Sequence, residues 1–220
     1  MKTMESFKLS IGLSIHVAAW SILLAGSVPL STGVYAQEAH AHAGSLAQLQ
    51  GYYQLPNKVA FVAFELKGDT LFAKQLWDNK TYPLIQIDET HFESKAEGHQ
   101  IEFIKDSSGQ FNQAKILGRI MTTRVDFDPR LVKQLTAQQL GRLEGVYTFR
   151  DDSSLKISIQ SSGSGLSLTQ LWDKKDIAFT PRSETFFLND DGTFPLSFLL
   201  ENGSATQVTC FENDVWLKEK

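Results

Sequence analysis

From Leu46 onward the chain alternates apolar and polar positions in short runs, and turn residues break these runs roughly every ten positions. In the C-terminal half the runs are V-Y-T-F (146–149), L-K-I-S-I (155–159), L-S-L-T-Q-L-W (166–172), I-A-F-T (177–180), T-F-F-L (185–188), F-P-L-S-F-L-L (194–200), T-Q-V-T-C-F (206–211) and V-W-L-K (215–218). Between them lie Asp151-Asp152, Ser161 to Gly165, Asp173 to Asp176, Asp190-Asp191-Gly192 and Asn202-Gly203. Asn-Gly suits a two-residue hairpin, whose central positions both need positive φ. The pattern predicts an all-β antiparallel meander that curls into a barrel or sandwich. Helices are expected only ahead of the strands. Asp128-Pro129 can start one, with Leu131, Leu135 and Leu143 spaced to share a face, and Ser45 to Gln50 is its shorter counterpart. Each ends at a glycine, the usual stop.

The pattern occurs twice. L-A-Q-L-Q-G-Y-Y from Leu46 and L-G-R-L-E-G-V-Y from Leu140 match at Leu46/Leu140, Leu49/Leu143, Gly51/Gly145 and Tyr53/Tyr147, an offset of 94. At an offset of 95, Q-L-W-D-x-K recurs from Gln75 and Gln170, and E-T-x-F recurs from Glu89 and Glu184. Gly68/Gly163, Leu71/Leu166 and Phe103/Phe198 share that offset. A repeat this long predicts two copies of one fold. The first covers residues 45–127 and the second, with a linker helix, 128–220. The boundary falls near Asp126–Lys133.

The short helix running into L-x-x-L-x-G-x-Y, followed by strands bearing E-T-H-F (89–92) and E-T-F-F (184–187), resembles a bacterial lipocalin-like β domain of unknown function. That family is often appended to the C-terminus of serine β-lactamase-like hydrolases and peptidases. The resemblance implies two tandem small meander barrels with a binding or accessory role and no catalytic residues. It also implies bacteria, where the sequons at Asn79 and Asn202 carry no meaning.

Ahead of the repeats, Lys2 and Lys8 precede a largely apolar stretch from Leu9 to Leu30, with no charge between Lys8 and Glu38. S-T-G-V-Y-A follows, placing Val34 and Ala36 at the −3 and −1 positions of a signal-peptidase site. Residues 1–36 are therefore expected to be a secretory signal, 37–44 a flexible lead, and the product periplasmic or secreted. An uncleaved membrane anchor is the alternative reading of the same stretch. No second long apolar run follows it. Net charge is −4 for all 220 residues and becomes −5 without residues 1–36. An acidic balance argues against nucleic acid as a partner. One cysteine excludes an intrachain disulfide framework and a cysteine-rich zinc site.

Candidate chemistry is sparse. His40 and His42, near the expected mature N-terminus, are the only candidate metal ligands, and no cofactor is expected. S-S-L-K (153–156) matches the S-x-x-K nucleophile motif but sits between a turn and a strand, without its partner motifs. His91 and His99 match Phe186 and Phe194, which suits packing or rim positions, and Cys210 reads as a small buried hydrophobe. Alternation places Gln75 and Trp77, with Gln170 and Trp172, on one face at a strand end. If that face is interior, each pair lines a barrel mouth and could stack or hydrogen-bond a small ligand. The structural alternative has the tryptophan plugging the barrel and Asp78 or Asp173 capping the next turn. Tyr53 and Tyr147 are further candidate ligand contacts. The resulting expectation is an exported, non-enzymatic binding or accessory protein whose partner is a small apolar or amphipathic molecule or an envelope protein. An accessory subunit acting in trans on a β-lactamase-like hydrolase or peptidase is the alternative. A hydrolase using Asp78, Glu89, Asp173 and Glu184 would need the fold to bring the two copies' carboxylates together.

Overall fold

The computed structural model describes residues 46–220. Two closed eight-stranded antiparallel barrels follow one another, each strand pairing with the next and the last closing on the first. The first comprises β1 (Gly51–Gln54), β2 (Phe61–Lys67), β3 (Thr70–Gln75), β4 (Thr81–Gln86), β5 (His91–Ser94), β6 (Gln100–Lys105), β7 (Phe111–Ile116) and β8 (Ile120–Val125). The second comprises β9 (Gly145–Phe149), β10 (Lys156–Ser162), β11 (Gly165–Gln170), β12 (Asp176–Pro181), β13 (Phe186–Asn189), β14 (Pro195–Glu201), β15 (Ser204–Cys210) and β16 (Asp214–Lys218). Each of the eight runs read from the second copy contains a strand. The Asn202-Gly203 turn joins Glu201 to its partner Ser204, with φ of 51° and 79°.

Alternation puts one apolar face inside each barrel. Tyr53, Phe64, Leu71 and Phe103 are buried in the first, and Tyr147, Ile159, Leu166 and Phe187 in the second. Closure brings the repeated glycines under the last strand of each barrel. Gly51 (φ 138°) and Gly145 (φ 147°) have backbone that L side chains rarely adopt. A Cβ there would lie 2.9 Å from Arg124 Nε and 2.6 Å from Lys218 Cε respectively.

The connection differs from the expected helix. Residues 129–136 are irregular and Leu131 is 65% exposed. Asp128 does not start a helix because its carboxylate accepts from Tyr52 Oη and Arg130 Nη2, both at 2.7 Å. A short helix, α1 (Ala137–Gly141), begins later, where Thr136 and Gln139 form a reciprocal capping box. Ahead of the first barrel, Leu46 and Ala47 are helical and a turn follows, which is too little to establish the expected counterpart helix.

Between the barrels, Phe61, Phe186 and Leu188 form a separate buried cluster against Leu76, Val125 and Phe127. Phe127 stacks on Phe186 at 5.5 Å, and Phe61 meets Phe186 edge-on at 6.1 Å. Lys133 N donates to Pro181 O at 2.9 Å, laying the connection along the second barrel.

Candidate functional site

Strand β3 ends at the mouth of the first barrel. Gln75 and Trp77 line a cavity there, with Leu55, Tyr82, His99 and Leu117 around them and Phe64, Ala73, Ser94 and Ile101 farther in. Leu76, between the two, turns the other way and packs in the inter-barrel cluster. The cavity measures about 170 Å³ and its walls are mainly apolar. Polar atoms concentrate on Gln75, Trp77, Tyr82, Ser94 and His99, and Tyr82 and His99 meet edge to face at 6.2 Å.

The motif's aspartates have a structural task. Asp78 Oδ1 accepts from Lys80 N and Asp173 Oδ1 from Lys175 N, both at 3.1 Å, within turns where Asn79 and Lys174 take positive φ. The tryptophans are different. Trp77 is 52% exposed and Trp172 47%, so both stand at the rim and neither is a core plug.

Gln170 and Trp172 line the matching cleft of the second barrel, about 270 Å³ in volume and also mainly apolar. Strand register equates the two mouths position by position. Tyr53 faces Arg124 as Tyr147 faces Lys218, so Thr122 corresponds to Trp216, and Leu55 to Phe149. Likewise Ala73 corresponds to Leu168, Tyr82 to Ile177, His99 to Phe194 and Leu117 to Phe211. The second copy is thus larger or more aromatic at most mouth positions. Its rings pack on one another: Trp172 on Trp216 at 6.2 Å, Trp216 on Phe149 at 4.9 Å, and Phe194 on Phe211 at 4.4 Å. In the first copy Thr122 takes little room, and its hydroxyl donates to Ala114 O at 2.7 Å. Both mouths keep a mainly apolar hollow, bounded by packed rings in the second barrel and by mostly smaller side chains in the first.

Tyr53 and Tyr147 line neither mouth. Both are fully buried, and their hydroxyls donate to Leu49 O at 3.2 Å and Leu143 O at 2.6 Å, pinning the segment ahead of each barrel. Burial pushes the Tyr53 phenol up to about 12, and the Tyr147 phenol is raised for the same reason. They are core residues because each sits in the inward register of the first strand, four residues after the carbonyl it ties down.

The repeated carboxylates do not converge. Glu89 pairs with Lys105 at 2.7 Å, Glu184 lies 3.7 Å from both Lys133 and Arg142, and the two aspartates cap separate turns. Cys210 is buried beside the second cleft, and burial pushes its thiol up to about 12. His40 and His42 lie outside the described residues, as does the whole N-terminal segment read as a signal. Among the described residues no helix is long and apolar enough to cross a membrane, and no group of three or more His, Cys, Asp or Glu could hold a metal.

No protein-family model matches the chain, and no curated protein matches it either. Residues the sequence did not single out, Tyr82, Leu55 and Leu117, complete the first mouth. Extending the repeat past Phe103/Phe198 at an offset of 94 would have exposed the Leu117/Phe211 and Thr122/Trp216 contrasts.

Proposed function

We propose that the chain is an exported, non-enzymatic binding protein of the lipocalin-like type, whose first barrel holds a small amphipathic molecule. One observation carries the reading. The two copies keep the same strands, turn caps and buried tyrosines, and the first opens at its mouth into an apolar cavity rimmed by the polar groups of Gln75, Tyr82 and His99. The N-terminal pattern of Lys2, Lys8, the apolar stretch and V-Y-A supports export.

The cavity sets the size of the guest. An aliphatic cavity of about 150 Å³ holds a benzene ring, so about 170 Å³ admits a single ring or roughly six to seven carbons. That is smaller than a typical drug-sized pocket. The apolar part of the guest enters, and its polar end stays at the mouth with Gln75, Tyr82 and His99.

A series of n-alkanols tests this by isothermal titration calorimetry. Affinity is expected to rise about fourfold per methylene until the cavity fills, and then to level off. Absence of saturable binding, or a steady rise with no plateau, contradicts the reading.

A further inference from the structure

The second mouth carries an unmet chemical demand. Trp216 is 8% exposed, lines the cleft, and its indole nitrogen is buried with no hydrogen-bond partner among the described residues. Buried donors in folded proteins nearly always find an acceptor, and indole can only donate. The counterpart in the first barrel has no such deficit, since Thr122 is satisfied by Ala114 O. The unpaired donor therefore belongs to the aromatic set that distinguishes this mouth.

The ring is held in a graded stack. Phe149 meets the Trp216 ring at 4.9 Å with planes tilted by 39°, and Trp172 lies nearly parallel to Trp216, with centroids 6.2 Å apart and planes 15° apart. Trp172 is half exposed and belongs to the turn after β11, whereas Phe149 and Trp216 sit on paired strands. The outermost ring is thus the one whose displacement disturbs no strand. Phe194 and Phe211, which line the same cleft, form a second nearly parallel pair. Flat surfaces and one donor without an acceptor specify the complementary ligand.

We propose that the second mouth is a binding site for a flat heteroaromatic ring, whose ring nitrogen or carbonyl accepts the Trp216 N–H when Trp172 moves aside. The site is independent of the first cavity and takes a different class of ligand. Aromatic surface gives affinity through stacking, and the acceptor gives selectivity.

Quinoline and naphthalene test this directly, because they share one shape and differ by a single acceptor atom. With ¹⁵N-tryptophan-labelled protein, the indole N–H signals of Trp77, Trp172 and Trp216 are assigned by single substitutions. Quinoline is expected to move the Trp216 signal downfield and to bind about tenfold tighter than naphthalene, the worth of one buried hydrogen bond. W216F keeps an aromatic ring and is expected to erase that preference. The Trp77 and Trp172 signals report whether W216F still folds. W172A supplies a second readout, since loss of the outer ring is expected to speed hydrogen exchange at the Trp216 N–H. Equal affinity for the two probes, an unmoved Trp216 signal, or a response confined to Trp77 overturns the proposal. None of these results bears on alkanol binding in the first barrel, so the two sites stand or fall separately.

Discussion

Ala73 is the position at which the cavity of the first barrel can be closed with least injury to the fold. Its counterpart Leu168 is a leucine, fully buried on the equivalent strand. The backbone of this repeat therefore already accommodates leucine there. A73L places three more carbons into about 170 Å³, close to half of the six or seven carbons that the space admits. At about 0.8 kcal/mol per buried methylene, a guest that must withdraw three carbons loses about 2.4 kcal/mol, or about fiftyfold in affinity. The plateau in the alkanol series should move down by the same three carbons. Stability should change little, because up to about 2.4 kcal/mol of added burial is offset by about 1–3 kcal/mol of packing strain. The assay is a calorimetric alkanol titration, beside a urea melt. L168A is the reciprocal variant, expected to cost about 2–5 kcal/mol of stability in a core that packs tightly. If A73L binds hexanol as tightly as the wild type, with the plateau at the same length, the guest does not occupy this cavity and the reasoning fails.

Other substitutions separate structure from binding. Y53F and Y147F should each lose about 1 kcal/mol of stability while leaving alkanol affinity unchanged, as equilibrium unfolding and titration would show. W77A should do the opposite, weakening alkanol binding by up to about tenfold with little change in melting, because the ring stands at the exposed rim. G51A and G145A should each cost about 1–3 kcal/mol, since both positions hold positive φ under a strand-closing side chain. Tyr53 also predicts a response to alkali. Its phenol is raised to about 12 by burial, against about 10 when unfolded, so its contribution is intact below about pH 10 and falls between about 10 and 12. Urea midpoints near pH 8 and pH 11 should converge in Y53F relative to the wild type. Cys210, with its thiol also pushed up to about 12 by burial, should react with a disulfide reagent only after unfolding.

The fold was open to reading because its signals are local. Period-two alternation marks strands such as β10 and β11, an apolar run marks β13, and Asn202-Gly203 marks a hairpin by its need for positive φ. The repeat then supplied the number of barrels. The linker helix was misread because Leu131 and Leu135 have helical spacing, whereas Asp128 is drawn to Tyr52, 76 residues away, and Thr136 provides the better cap. Gln75 and Trp77 were found at the mouth because alternation fixes which face they share. Tyr53 and Tyr147 were misassigned for a related reason: inward register alone does not say whether a side chain meets a cavity or fills the core. What separates the two mouths depends on closure of the barrel, which sets Thr122 beside Leu55 in one copy and Trp216 beside Phe149 in the other. No local pattern carries that information. The aromatic seal between the barrels, Phe61, Phe127 and Phe186, is likewise contributed by distant segments.

Native mass spectrometry of the protein and its A73L variant, both purified from the cells that make it, tests the central claim most directly. The wild type should carry a small noncovalent adduct that leaves on denaturation, and A73L should emerge bare. Wild-type protein that emerges bare, or an adduct retained equally by both, would contradict a ligand-holding role for the first barrel.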